Sequence, residues 1–164
     1  MKIFCTGNPD RKTIAYALGA DLNASLSSGW NFTMPETIIR FRKSIQQYNV
    51  FVNSAYIAPG IQETLMNECQ AEWTKINTRG HIISVGTTLE NTDDSSQYTQ
   101  SKRNLKHRSL QLSDETGISG VKTTYIVLGG LGHDGCSTKD VVQTMLWIVN
   151  QPYRIPLMQI ESVK

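Results

Sequence analysis

One doubly wound α/β domain, a parallel sheet covered by helices on both faces, is what this sequence encodes. Three features say so. Short apolar runs alternate with longer amphipathic stretches along the whole chain. The apolar runs do not switch between polar and apolar residues, as strands buried on both faces must not. Each run also ends in small or polar residues: Thr6-Gly7-Asn8, Asn53-Ser54-Ala55, Gly86-Thr87 and Gly129-Gly130. Such residues line the crevice beyond the carboxyl ends of parallel strands, where ligands bind in this architecture.

The elements follow in order. Residues 2–5 are predicted as the first strand, and Gly7 stops it. Residues 12–18 make a short helix with Ile14, Ala15, Ala17 and Leu18 on its apolar face and Gly19 at its end. Only nine residues separate Gly19 from Gly29, fewer than the ~10–12 of a crossover plus its strands. A short strand or hairpin-like link is expected there, not a full βαβ unit. Pro35-Glu36-Thr37 has helix-start chemistry, and Ile38, Ile39, Phe41, Ile45 and Tyr48 continue the face. Val50-Phe51-Val52 is a buried strand. A helix over 62–76 and a strand over 81–85 follow. Next come a long helix over 95–112, a strand over 123–128, a helix over 138–150 capped by Ser137 or Thr138, and a last strand over 156–160. Strands separated by helices imply right-handed crossovers and a parallel sheet over one domain, 1–164.

Composition narrows the function classes. The 164 residues are 39% hydrophobic and 18% charged, which suits one domain with a real core. A net charge of +2 is too small to argue for nucleic acid. The basic stretch 102–108 reads as a solvated helix face. No apolar run approaches the ~20 residues that cross a bilayer. The first residues read as a strand and not as a secretory signal. Cys5, Cys69 and Cys136 are odd in number and not closely spaced, so a disulfide framework or zinc site is not expected and a reducing, cytoplasmic setting is. His133-Asp134-Gly135-Cys136 lacks the second ligand pair of a metal site.

Five stretches then carry a resemblance. They are Thr6-Gly7, Asn31-Phe32-Thr33-Met34-Pro35-Glu36, Asn53-Ser54-Ala55-Tyr56, the run 80–87 ending in Gly86-Thr87, and Tyr98-Thr99-Gln100-Ser101-Lys102. In this order they resemble the short-chain dehydrogenase/reductase family: its nucleotide turn, its Asp-Val-Thr-x-x-Glu stretch, its Asn-Asn-Ala-Gly strand end, the strand before its catalytic serine, and its Tyr-x-x-x-Lys pair. The resemblance implies a Rossmann-like fold and a nicotinamide dinucleotide, NAD or NADP. It implies a hydride passing between cofactor and a carbonyl or alcohol carbon while the protein handles the proton. Tyr98 would be the acid–base group, with the Lys102 ammonium bringing its pKa down toward working pH. Residues four apart on a helix share one face. Lys102 would also bind the nicotinamide ribose, and Thr87 would hold the substrate oxygen. Ser84, inside the strand, should point elsewhere. Asn67 stands for the family's fourth catalytic residue, because a helix shortened by about two turns keeps its phase. Gly7, Asn8, Arg11, Thr13, Asn31, Asn53, Ser54, Ala55 and Gly129 would line the cofactor with Tyr98 and Lys102.

The chain departs from the family in three ways. Arg11 and Thr13 replace the second and third glycines of the phosphate turn, Pro9 removes an N–H, and Asp10 adds negative charge. Arg11 and Lys12 at the helix start offer charge to a phosphate instead, and Arg11 favours a 2′-phosphate and thus NADP. The chain is also shortened relative to the family, lacking a βαβ unit and a substrate lid after residue 132. Finally, Asn31 stands for an aspartate at the adenine, and Tyr56 replaces a glycine beside the nicotinamide ribose. Two functions are therefore expected as alternatives: an oxidoreductase acting on a small carbonyl or alcohol, or a non-catalytic dinucleotide-binding or interaction protein on the same scaffold. A homodimer or homotetramer would use the two helices bearing Leu65, Trp73, Leu105, Leu110 and Leu112, unless those residues serve the domain's own core.

Overall fold

The strands are β1 (Ile3–Thr6), β2 (Leu22–Ala24), β3 (Val50–Asn53), β4 (His81–Thr87), β5 (Lys122–Leu128) and β6 (Leu157–Ile160). They form one sheet in the order β2-β1-β3-β4-β5-β6, with every neighbouring pair parallel. The helices are α1 (Ile14–Leu18), α2 (Pro35–Ile45), α3 (Ile61–Lys75), α4 (Gln97–Asp114), α5 (Thr116–Ser119) and α6 (Thr138–Val149), with 3₁₀ turns at Leu26–Ser28 and Thr88–Asn91. This computed structural model describes residues 1–8, 13–129 and 136–161. Among them no helix is long and apolar enough to cross a membrane.

Each strand feeds two cores because successive side chains leave opposite faces. Phe4, Phe51, Ile82 and Tyr125 point to one face and pack with α2, α3 and α4, together with Trp30, Phe41 and Trp73. Their immediate neighbours Cys5, Val52, Ile83 and Ile126 point to the other and pack with α1 and α6. The uninterrupted apolar runs in the sequence are thus the signature of a two-sided burial. Phe4 sits at the centre of an edge-on aromatic cluster, with ring centroids of Trp30, Phe41, Tyr48 and Phe51 at 5.2–5.9 Å.

The link between Gly19 and Gly29 is a three-residue strand and not a hairpin: β2 runs parallel to β1, with Phe4 opposite Leu22. Strand β4 runs two residues further than its apolar run suggests. Gly86 and Thr87 still pair with Val127 and Leu128, so Thr87 is the last residue of the strand. The Leu65, Trp73, Leu105 and Leu112 stripe belongs to the domain's own core, each side chain being fully buried. Those four are therefore not an association surface.

The order in which the strands are laid down reverses at β1. Strand β2 lies on one side of it and β3 on the other, which opens a crevice at the carboxyl ends of β1 and β3. The candidate site lies there.

Candidate functional site

The crevice begins where β1 ends. Gly7 has φ +146°, and its N–H donates to the Ala24 carbonyl at 3.0 Å. A Cβ there would stand 3.2 Å from both Ala15 Cβ and Ser54 Oγ, so backbone geometry and space both favour glycine. Beneath it, the buried Thr6 hydroxyl accepts from the N–H groups of Ser54 (3.0 Å) and Ala55 (3.2 Å). Ser54 Oγ donates back to the Thr6 carbonyl. These bonds hold the ends of β1 and β3 together. Thr13 caps α1: its hydroxyl donates to the Asn8 carbonyl at 2.6 Å and accepts from Tyr16 N at 3.3 Å.

Three adjoining clefts run along this edge. The first, about 520 Å³, is bounded by Asn8, Ser25, Leu26, Trp30 and Tyr56. The second, about 260 Å³, lies over Gly7, Thr13, Ile14 and Ser54. The third, about 310 Å³, is bounded by Tyr56, Thr87, Tyr98, Lys102 and Gly129. Shared walls make them one elongated groove: Gly7, Asn8 and Ala55 between the first two, Ile14 and Ser54 between the last two. A missing Cβ at its centre and an aromatic at each end fit a dinucleotide.

The third cleft holds the candidate chemistry. Ser96 caps α4 by accepting from Thr99 N at 3.2 Å. Asp94 accepts from Ser96 N at 2.9 Å and from Thr99 Oγ1 at 2.5 Å, which fixes the first turn. Tyr98 on that turn lines the same cleft as Thr87 at the end of β4. The Tyr56 ring packs edge-on against it, centroids 4.8 Å apart. One turn on, Lys102 is almost fully buried. Its Nζ donates to Gln62 Oε1 and to the Val85 carbonyl, each at 2.7 Å, and lies 5.6 Å from the Tyr98 ring centre. The structure brings Thr87, Tyr98 and Lys102 together on one cleft.

The electrostatics differ from expectation. Burial pushes the Lys102 ammonium down to about 8, partly opposed by the Glu90 carboxylate. The Tyr98 phenol is raised chiefly by burial, with the nearby Thr87 hydroxyl acting against it and the negative charge of Glu90 adding to it. The expected lowering of Tyr98 by Lys102 is corrected: the ammonium is directed at Gln62 and Val85. Tyr98 is a neutral phenol at physiological pH, suited to giving a proton.

Several expected residues stand elsewhere. Asn67 accepts from Arg108 Nε at 2.8 Å, on the outer part of the α3–α4 contact. Gln62, five residues earlier, reaches Lys102 instead, so the phase argument for Asn67 fails. Asn53 is fully buried and does not line the groove. Its Nδ2 donates to the Gln62 carbonyl at 2.7 Å, and Gln62 Nε2 donates back to the Asn53 carbonyl at 2.9 Å. Asn31 is exposed and closes its own turn, accepting from Thr33 N and Oγ1 at 3.2 and 2.7 Å. Trp30 lines the cleft in its place. Ser84 points away, as its position in the strand demands, with Oγ 3.5 Å from Met66 Sδ. Gly7, Asn8, Thr13, Ser54, Ala55 and Gly129 all border the groove. Arg11, like His133 and Asp134, lies outside the described residues.

Sequence reasoning missed Gln62, Glu90 and Tyr125. A signal existed for Gln62: it begins the buried stripe Gln62, Leu65, Met66, Cys69, Trp73 on α3, where a polar side chain requires a partner.

The fold is that of a doubly wound α/β protein. More specifically, it is the fold of solved short-chain dehydrogenase/reductase structures. A metagenomic short-chain oxidoreductase in complex with NADP superposes with a TM-score of 0.78 at 13% identity, covering 99% of this chain and 98% of that one. A short-chain dehydrogenase from Leptospira borgpetersenii with bound NAD+ gives 0.75 at 12%, covering 98% and 91%. Serine dehydrogenase from Escherichia coli gives 0.70 at 16%, covering 99% and 98%. No protein-family model and no curated protein matches the sequence.

Proposed function

We propose that this protein is an NAD(P)-dependent oxidoreductase of the short-chain dehydrogenase/reductase type, which interconverts a carbonyl compound and an alcohol. One observation carries the reading: Tyr98 and Thr87 line the same cleft, one helical turn from the buried ammonium of Lys102. Gly7, Asn8, Thr13 and Ser54 would hold the diphosphate, and Trp30 and Tyr56 would flank it. The fold neighbours that hold NAD+ or NADP support this choice of cofactor. A bound nicotinamide supplies the hydride.

The chain's own groups do the rest. Thr87 donates a hydrogen bond to the substrate oxygen and orients it toward Tyr98. The neutral phenol delivers its proton as that oxygen gains charge. Lys102, with two of its three N–H bonds committed to protein acceptors, keeps one for the cofactor ribose.

NADP is the favoured cofactor in this reading. Arg11, close in sequence to α1, offers a cation for a phosphate, and no carboxylate borders the first cleft among the described residues. Three unpaired cysteines support a reducing, cytoplasmic setting. The test is NADPH and NADH consumption against a panel of carbonyl compounds. Wild type should turn over, and Tyr98→Phe should lose about 100-fold or more while still binding cofactor. Undiminished turnover in Tyr98→Phe removes the acid–base role. Equal NADPH and NADH affinities before and after Arg11→Ala remove the NADP preference.

A second reading has its own observation. The Tyr56 ring packs against Tyr98 inside the third cleft, which suits a protein that binds a dinucleotide without turning over substrate. Tight cofactor binding by calorimetry with no turnover would favour it.

A further inference from the structure

A buried acid lies on the turn that follows Thr87. Glu90, on the 3₁₀ turn three residues after Thr87, is only 6% exposed. Its Oε2 accepts a 2.5 Å hydrogen bond from the Tyr125 hydroxyl on β5. Its Oε1 lies 3.0 Å from Lys106 Nζ on α4. Its carbonyl accepts from Arg103 Nε at 3.0 Å, and Arg103 also holds the Thr92 carbonyl at the far end of the same turn. The Tyr125 hydroxyl is also 3.1 Å from the Lys102 carbonyl. One carboxylate thereby joins the turn that follows Thr87 to the strand below and to the helix bearing Tyr98 and Lys102. Space for this is reserved: a Cβ on Gly86 would lie 2.0 Å from the Tyr125 hydroxyl.

We propose that Glu90 is a positioning residue for Tyr98: a buried carboxylate, clamped between β5 and α4, that fixes the turn after Thr87 and sets a negative charge that acts on the phenol. The inference rests on the reading of Tyr98 as proton donor. The groups that act on the phenol are Thr87 from β4, Tyr56 from the segment after β3, Lys102 from its own helix and Glu90 from the turn. Those facing Glu90 are Tyr125 from β5 and Lys106 and Arg103 from α4. Glu90 favours the protonated form of Tyr98 and of Lys102 alike, so it holds both in the state that reduces a carbonyl at neutral pH.

The test is alkaline titration of Tyr98 by phenolate absorbance, read as wild type minus Tyr98→Phe. It needs neither cofactor nor substrate. In Glu90→Gln, the Tyr98 titration should move to lower pH by about half a unit to one unit. The alkaline limb of kcat/KM for reduction should move the same way, since activity requires the protonated phenol. If Glu90→Gln does not fold, Lys106→Met leaves the carboxylate in place and removes its cation, and the Tyr98 titration should then move to higher pH. A folded Glu90→Gln with an unmoved titration overturns the proposal, as does an unmoved titration in Lys106→Met. Absence of turnover with a shifted titration counts instead against the oxidoreductase reading.

Discussion

Gln62 Oε1 accepts a 2.7 Å hydrogen bond from Lys102 Nζ while the Gln62 amide nitrogen donates to the Asn53 carbonyl at 2.9 Å. One buried glutamine therefore ties the end of β3 to the lysine on α4, 40 residues further along the chain from the glutamine.

Gln62→Leu removes both bonds and leaves a buried ammonium with the Val85 carbonyl as its remaining protein partner. Loss of a partner from a buried polar group costs about 1–3 kcal/mol. Urea unfolding should show that loss, and cofactor affinity should fall with it because Lys102 is no longer held. Gln62→Glu should recover affinity above that of Gln62→Leu by restoring an acceptor.

Lys102 makes stability depend on alkaline pH. Its folded value is about 8 against 10.5 for the free side chain, so the unfolded chain binds the proton more tightly. The burial cost is fully present below about pH 8 and is relieved as pH rises from there toward 10. Wild type should gain stability relative to Lys102→Met over that window, by roughly 3 kcal/mol in the limit. Equal slopes of stability against pH in the two proteins would contradict the burial of a charged Lys102.

His81 makes the same argument in acid. It is buried at the start of β4, with Nε2 2.8 Å from Thr124 Oγ1. Burial, then the Lys122 ammonium, pushes it down to about 4 from 6.5. The unfolded chain takes up the proton first, so stability should fall as pH drops from about 6.5 to 4. The contribution approaches roughly 3 kcal/mol. His81→Gln should flatten that part of the acid-unfolding profile.

Gly86→Ala tests the space reserved for Tyr125. The new methyl would stand 2.0 Å from the hydroxyl and 2.3 Å from the ring carbon that bears it, so the ring must move and its bond to Glu90 must lengthen. Overpacking of this kind costs about 1–3 kcal/mol. The melting temperature should fall, and the Tyr125→Phe, Gly86→Ala double variant should lose less than the sum of its parts.

Local pattern in the chain determined a great deal. Apolar runs and helix-start chemistry located the strands and the major helices. Small residues after β1 and β3 located the groove, and the four-residue spacing put Tyr98 and Lys102 on one helical face. These are properties of neighbouring residues, set by the periods of strand and helix, and so they can be read without knowing the fold. Tertiary structure decided which partners meet. It set Gln62, not Asn67, against Lys102, put Trp30 at the groove where Asn31 was expected, and enclosed Asn53. It also partly buried the Tyr98 phenol and placed Glu90 beside Tyr125, and burial first, then that charge, raises the proton affinity of Tyr98 that the sequence led one to expect lowered. Those outcomes depend on desolvation and on contacts between residues tens of positions apart, and no short-range pattern records which buried polar groups will find each other.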